Sequence, residues 1–164
     1  MCSPEAGFWP EDSPVHGSLK NVSVPDAGDM PVYVATPKGE GPWPTIVIIH
    51  DYFDPEHFYH ALADHYAAEG FAAVVPHLFH RQEKLSEQTH QAASARIGSV
   101  TDEGVFDDIA ETLRLIEQEG IATELALTGF CWGGRMEPLP AVALNPPKPL
   151  NPQRIPSYCC QTTA

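Results

Sequence analysis

The stretch TIVIIHDYFDPEHFYHALADHYAAEGFAAVVP, residues 45–76, decides the fold. It opens on TIVIIH, Thr45 to His50, and closes on FAAVVP, Phe71 to Pro76. Uninterrupted apolar runs of this length, the first of them rich in β-branched residues, mark strands buried on both faces of a parallel sheet. The segment between them carries helix punctuation: Asp54 as N-cap, Pro55 at the first helical position and Gly70 just past the end. Phe58, Leu62 and Tyr66 then share one face of that helix. Strand, helix and strand together form a β-α-β unit.

Upstream, LKNVSV and MPVYVATP alternate apolar and polar residues around the turn-forming PDAGD, which predicts an antiparallel hairpin. Residues 1–18, rich in Pro, Gly and acidic side chains, read as an irregular arm. Downstream, HRQEKLSEQTHQAASARIGS is polar and weakly periodic, which fits an exposed loop with a short helix. A longer helix starts at Thr101, with Asp102 and Glu103 favoured in its first turn and Val105, Phe106, Ile109, Leu113 and Ile116 along one stripe. Gly120 ends it, and ELALTGF forms a third buried strand leading to Cys131. The order implies an α/β sheet with an N-terminal hairpin, parallel strands and helices on both faces.

Composition removes several function classes. Nine Lys and Arg against 22 Asp and Glu leave a net charge of -13, which repels nucleic acid and anionic membrane surfaces alike. No apolar run is long enough to span a bilayer, and the first residues lack a basic start with an apolar core, so a cytoplasmic location is expected. Cys2, Cys131, Cys159 and Cys160 have neither disulfide-framework nor metal-site spacing.

The chemistry concentrates at Gly129-Phe130-Cys131-Trp132-Gly133, a G-x-C-x-G turn followed by Gly134. A nucleophile held in a strained strand-to-helix turn presses the residues two positions away against neighbouring backbone, where glycine alone fits. Amides at the turn favour a thiolate and a developing oxyanion. The Trp132 N–H is one donor, and the loop after the first buried strand, around Asp51 to Phe53, should bring the second. The bland alternative is a small buried cysteine in a glycine-rich turn.

With GFCWGGR and the strand–acidic loop–helix–strand order ending in P-x-L-x-x-R-Q, the chain resembles the dienelactone hydrolase family of the α/β-hydrolase fold, over approximately residues 30–136. The resemblance implies hydrolysis of carboxylic esters or lactones without a cofactor. It implies Cys131 as nucleophile, Trp132 and Tyr52 as oxyanion amides, and Asp51 where these enzymes often carry a glutamate that takes the thiol proton. Asp51 is shorter, and a helix-leading surface acid is the competing reading.

The fold places the acid and histidine of such a triad after the nucleophile. Here the last histidine is His90 and the last aspartate Asp108. From Glu137 onward there are seven prolines and no Asp or His, which predicts a disordered tail over 137–164 behind a partial hydrolase domain over 19–136. Pro138 would break the helix after the turn. A truncated half-sheet would be impaired as a catalyst and open to self-association along an exposed edge. Its rival is an inert fragment acting only as a binding module. A metal site on the first helix from Asp54, His57, His60 and Asp64 is a weaker rival, and no metal is assigned; His77 and His80 read as surface residues. Arg81 and Arg96 are candidates to meet a substrate carboxylate, without a motif that places them.

Overall fold

The computed structural model describes residues 14–135. The hairpin comes first, as β1 (Val15–Val24) and β2 (Gly28–Pro37), joined by a turn in which Asp26 and Gly28 take positive φ. It begins earlier than expected: Val15–Ser18, read as part of an irregular arm, already pair with β2. Strand β3 (Trp43–Ile49), helix α1 (Phe58–Ala68) and strand β4 (Ala72–Pro76) form the predicted β-α-β unit, with β3 and β4 parallel. The short helix α2 (His90–Ile97), the long helix α3 (Asp102–Gln118) and strand β5 (Ala122–Gly129) follow.

The five strands lie in the order β1-β2-β4-β3-β5, with β3, β4 and β5 parallel and β2 antiparallel to β4. Because side chains alternate along a strand, the apolar runs supply both faces at once. Val47, Ile49 and Val74 point into one core with Val105, Ile109 and Ile116 of α3. Ile48, Ala73 and Val75 point into the other with Tyr59, Ala63 and Ala67 of α1. Helices therefore cover both faces, as expected.

Three local readings are corrected. Helix α1 starts at Phe58 rather than Pro55, and Asp54 does not cap it: the Asp54 carboxylate instead accepts from Arg96, Gln88 and the Leu85 amide. The buried face of α1 is Tyr59, Ala63 and Ala67, one residue on from the expected stripe, and Phe58 is 63% exposed. Strand β5 is not buried on both faces; Thr123, Glu124 and Ala126 are exposed, because it is the end strand among the described residues.

Helix α3 follows its sequence closely. Thr101 is extended and its hydroxyl accepts from the Gly104 amide at 3.2 Å, satisfying one of the orphan donors of the first turn. Thr101→Ala is expected to cost about 1 kcal/mol, read as a lower urea midpoint at unchanged slope. Beneath this helix the Asp108 carboxylate is fully buried and holds Arg81 at 2.6 Å and His80 at 3.1 Å. His77 and His80 are thus interior side chains, not surface ones; His77 pairs with His60, Nε2 to Nε2, at 2.9 Å. The expected tail over 137–164, with Pro138, Cys159 and Cys160, lies outside the described residues.

Candidate active site

The C-terminal ends of β3 and β5 meet where the Phe130 amide donates to the Ile49 carbonyl at 3.0 Å. One residue on, Cys131 sits at φ 51, a left-handed conformation that an L-residue adopts only under constraint. The next turn is closed by the Gly133 amide donating to the Phe130 carbonyl at 2.8 Å and the Gly134 amide donating to the Cys131 carbonyl at 3.1 Å. The chain then continues as one 3-10 turn, Gly133–Arg135.

The glycines are required by contact. A Cβ on Gly129 would lie 2.4 Å from the Gly133 carbonyl oxygen, and one on Gly133 would lie 2.4 Å from the Ile49 oxygen and 2.5 Å from the His50 oxygen. Gly134 is more tolerant, its nearest neighbour being the Gly129 oxygen at 3.3 Å. This crowding drives the intervening residue outward: Cys131 is exposed, a free thiol at the end of the sheet, while Trp132 is buried against Phe79.

The loop after β3 supplies the other wall. The Asp51 carboxylate accepts from the Phe53 amide at 2.8 Å, and the Asp51 amide donates to the Tyr59 hydroxyl at 3.2 Å. Tyr59 is buried, packs edge-on against Phe130 and stands within electrostatic reach of both Asp51 and Cys131. Burial, together with those two neighbours, pushes its phenol well above the ordinary range. The Tyr52 carbonyl accepts from Arg96 Nη2 at 2.8 Å, and its hydroxyl meets His90. Neither the Tyr52 amide nor the Trp132 amide meets an acceptor among the described residues.

Every histidine in the interior of this region is already engaged. His50 is fully buried; its Nε2 accepts from the Leu78 amide at 3.1 Å, so Nδ1 carries the proton donated to the Asp51 carbonyl at 2.7 Å. Burial is the main cause that holds its pKa down at about 3. His60 is lowered to about 4, first by burial and then by the neighbouring His77. Asp54, His60 and Asp64, three of the residues considered for a metal, turn to Arg96, His77 and Tyr33 respectively. Arg81 and Arg96, considered for a substrate carboxylate, are paired to the internal carboxylates of Asp108 and Asp54. Sequence reasoning missed His50, Tyr59 and the role of Arg96: each acts through a contact between separate elements, and no spacing along the chain encodes it.

The strand order, the two-faced packing and the glycine-flanked turn at the end of β5 define an α/β-hydrolase fold. The sequence profile of the dienelactone hydrolase family matches residues 30–146, running past Met136 into the proline-rich stretch, and the chain belongs to that family. It is 29% identical over 143 residues to the carboxymethylenebutenolidase of Rhodococcus opacus, covering 87% of this chain and 55% of that one. It is 31% identical over 119 residues to a Yersinia pestis protein assigned as a carboxymethylenebutenolidase, covering 70% and 45%. A crystal structure of a Klebsiella pneumoniae protein assigned as a dienelactone hydrolase superposes with TM-score 0.67 at 30% identity, over 77% of this chain and 55% of that one. The chain therefore spans about half the length of the relatives it matches. Among the described residues no helix is long and apolar enough to cross a membrane.

Proposed function

We propose that this chain carries the nucleophile half of an ester or lactone hydrolase site, with Cys131 as the nucleophile. The observation that carries the reading is the exposed thiol at φ 51, held between glycines that have no room for a Cβ. Sγ attacks the acyl carbon, and the carbonyl oxygen becomes an oxyanion received by the Trp132 and Tyr52 amides. The thiol proton passes to the Asp51 carboxylate and from there to the departing oxygen, leaving a thioester on Cys131 and an alcohol, or a ring-opened hydroxyl if the substrate is a lactone. The substrate is a small ester or lactone, and the charge of -13 argues against nucleic acid and anionic membrane surfaces as partners.

Hydrolysis of that thioester needs a base for water. No histidine follows His90 and no aspartate follows Asp108 in this chain, and the interior histidines are occupied by other partners. The 164-residue chain is accordingly expected to acylate once and stall. With an activated aryl acetate, intact-mass measurement should show one acetyl group per chain and an aryl-alcohol burst of matching size, and Cys131→Ala should abolish both. Acetylation that persists in Cys131→Ala would sink the nucleophile assignment, and sustained turnover by the wild-type chain would sink the impairment.

A binding-module reading has one specific support: among the described residues β5 pairs only with β3 and is the end strand of the sheet, the position at which a further strand can add. Concentration-dependent mass by light scattering distinguishes self-association through that edge from a monomer.

A further inference from the structure

In the loop that follows β3, four backbone groups around one amide are tied down. The Asp51 N–H donates to the Tyr59 hydroxyl at 3.2 Å, the Asp51 carbonyl accepts from His50 Nδ1 at 2.7 Å, and the Phe53 N–H donates to the Asp51 carboxylate at 2.8 Å. The Tyr52 carbonyl accepts from Arg96 Nη2 at 2.8 Å. The Tyr52 N–H between them meets no acceptor among the described residues. An N–H flanked by engaged peptide groups is held in a fixed direction and can receive an oxygen that arrives with the substrate.

The groups that do the tying come from three separate elements and are themselves immobilised. Tyr59, on α1, is 4% exposed and wedged between Phe58, Phe130 and His50. Its hydroxyl accepts from the Asp51 amide at 3.2 Å, with the Asp51 carboxylate near enough to act on it electrostatically. Arg96, on α2, is 8% exposed, with its guanidinium over the Phe79 ring at 4.3 Å and its Nη1 on Asp54. Its Nε finds no acceptor, so the fork is oriented at the cost of one buried donor. Phe79 in turn packs on Trp132, whose amide also meets no acceptor among the described residues.

We propose that Tyr59 and Arg96 are positioning residues that hold the Tyr52 peptide so that its N–H faces the acyl oxygen at Cys131. Neither touches the substrate; they act through residues 51 and 52. A preformed donor pays no reorganisation when the oxyanion develops, and loss of one such donor slows acyl transfer by roughly 100-fold to 1,000-fold. A clamp that only aims the donor is worth less than the donor itself.

The inference rests on the hydrolase reading above, and two rates measured on the same thiol separate them. Acylation by an activated aryl ester passes through an oxyanion, whereas alkylation by iodoacetamide displaces iodide and forms none. In Tyr59→Phe, acylation of Cys131 is expected to slow by about tenfold to 100-fold while alkylation is unchanged across pH 6 to 9. Arg96→Lys, which keeps a cation facing Asp54 but has no second arm for the Tyr52 carbonyl, should give the same split. If one variant fails to fold by circular dichroism, the other carries the test. Equal slowing of both reactions would mean that the thiol or the fold has been disturbed, and unchanged acylation in both variants would mean that the clamp is idle; either result overturns the proposal. If the wild-type chain is alkylated but never acylated at Cys131, the hydrolase reading falls and the clamp with it.

Discussion

Gly133→Ala is expected to destabilise the protein by about 3 kcal/mol or more and to abolish the acylation burst, because the added methyl has nowhere to go. Its Cβ would sit 2.4 Å from the Ile49 oxygen and 2.5 Å from the His50 oxygen, and both are backbone atoms of the central strand and its loop. A flexible side chain could swing away; a carbonyl in a parallel ladder cannot move without breaking the pairing of β3 with β5. Gly134→Ala is the internal control. There the nearest atom, the Gly129 carbonyl oxygen, is 3.3 Å away rather than 2.4 Å, so the overlap is slight and the loss should be well below that of Gly133→Ala. Urea unfolding followed by tryptophan fluorescence ranks the two variants, and titration with an activated ester reads the elbow separately. Equal stability of Gly133→Ala and the wild type would show that the turn does not pack against β3 as described.

Acid should begin to destabilise the protein above the carboxylate range, from about pH 6.5 downward, with His50 as the chief cause. Its folded pKa is held at about 3 because the ring is fully buried, its proton is committed to the Asp51 carbonyl, and its other nitrogen accepts from Leu78. In the unfolded chain the same ring titrates near 6.5, its ordinary value. The stabilisation is therefore complete above that pH and is lost as pH falls from about 6.5 to about 3, since the unfolded state binds a proton that the folded state refuses. Well inside that window each pH unit removes on the order of 1 kcal/mol for this one group, a few kcal/mol in all. His60, lowered to about 4, and His77, also lowered by burial, push in the same direction. Urea midpoints at pH 7, 6 and 5 should fall steeply. His50→Gln keeps an acceptor and a donor without a titrating ring, and its profile should be shallower by on the order of 1 kcal/mol per unit below pH 6. A profile of wild-type steepness would remove His50 as the cause.

Much of the site was legible in the sequence because it is local. The glycines at positions 129 and 133 and the cysteine between them report a single turn, and the contacts that make glycine necessary come from backbone that any strand-turn-helix of this shape brings close. The β-branched run from Thr45 to His50 likewise states its own burial, and its alternating residues Val47, Ile48 and Ile49 do divide between the two cores. Helix α3 carried its start in Thr101 and its stripe in Val105, Ile109 and Ile116. Helix α1 was read one residue out of phase, because Asp54-Pro55 imitates a helix start while Asp54 is in fact the counter-charge of Arg96, a residue of α2. Punctuation of that kind is ambiguous whenever the capping side chain has a stronger distant partner.

By itself, the sequence determined the class of fold, the residue at the elbow and the small residues around it, since each depends on sterics within a few positions of the chain. The tertiary structure alone decided which histidines are buried and neutral, which arginines are spent on internal carboxylates, and that the Tyr52 amide meets no acceptor among the described residues. Those outcomes depend on which of several available partners each polar group meets once α1, α2 and the β3 loop are packed. Pairwise choices between distant segments are settled by burial and hydrogen-bond satisfaction in three dimensions, and they leave no period or spacing in the chain.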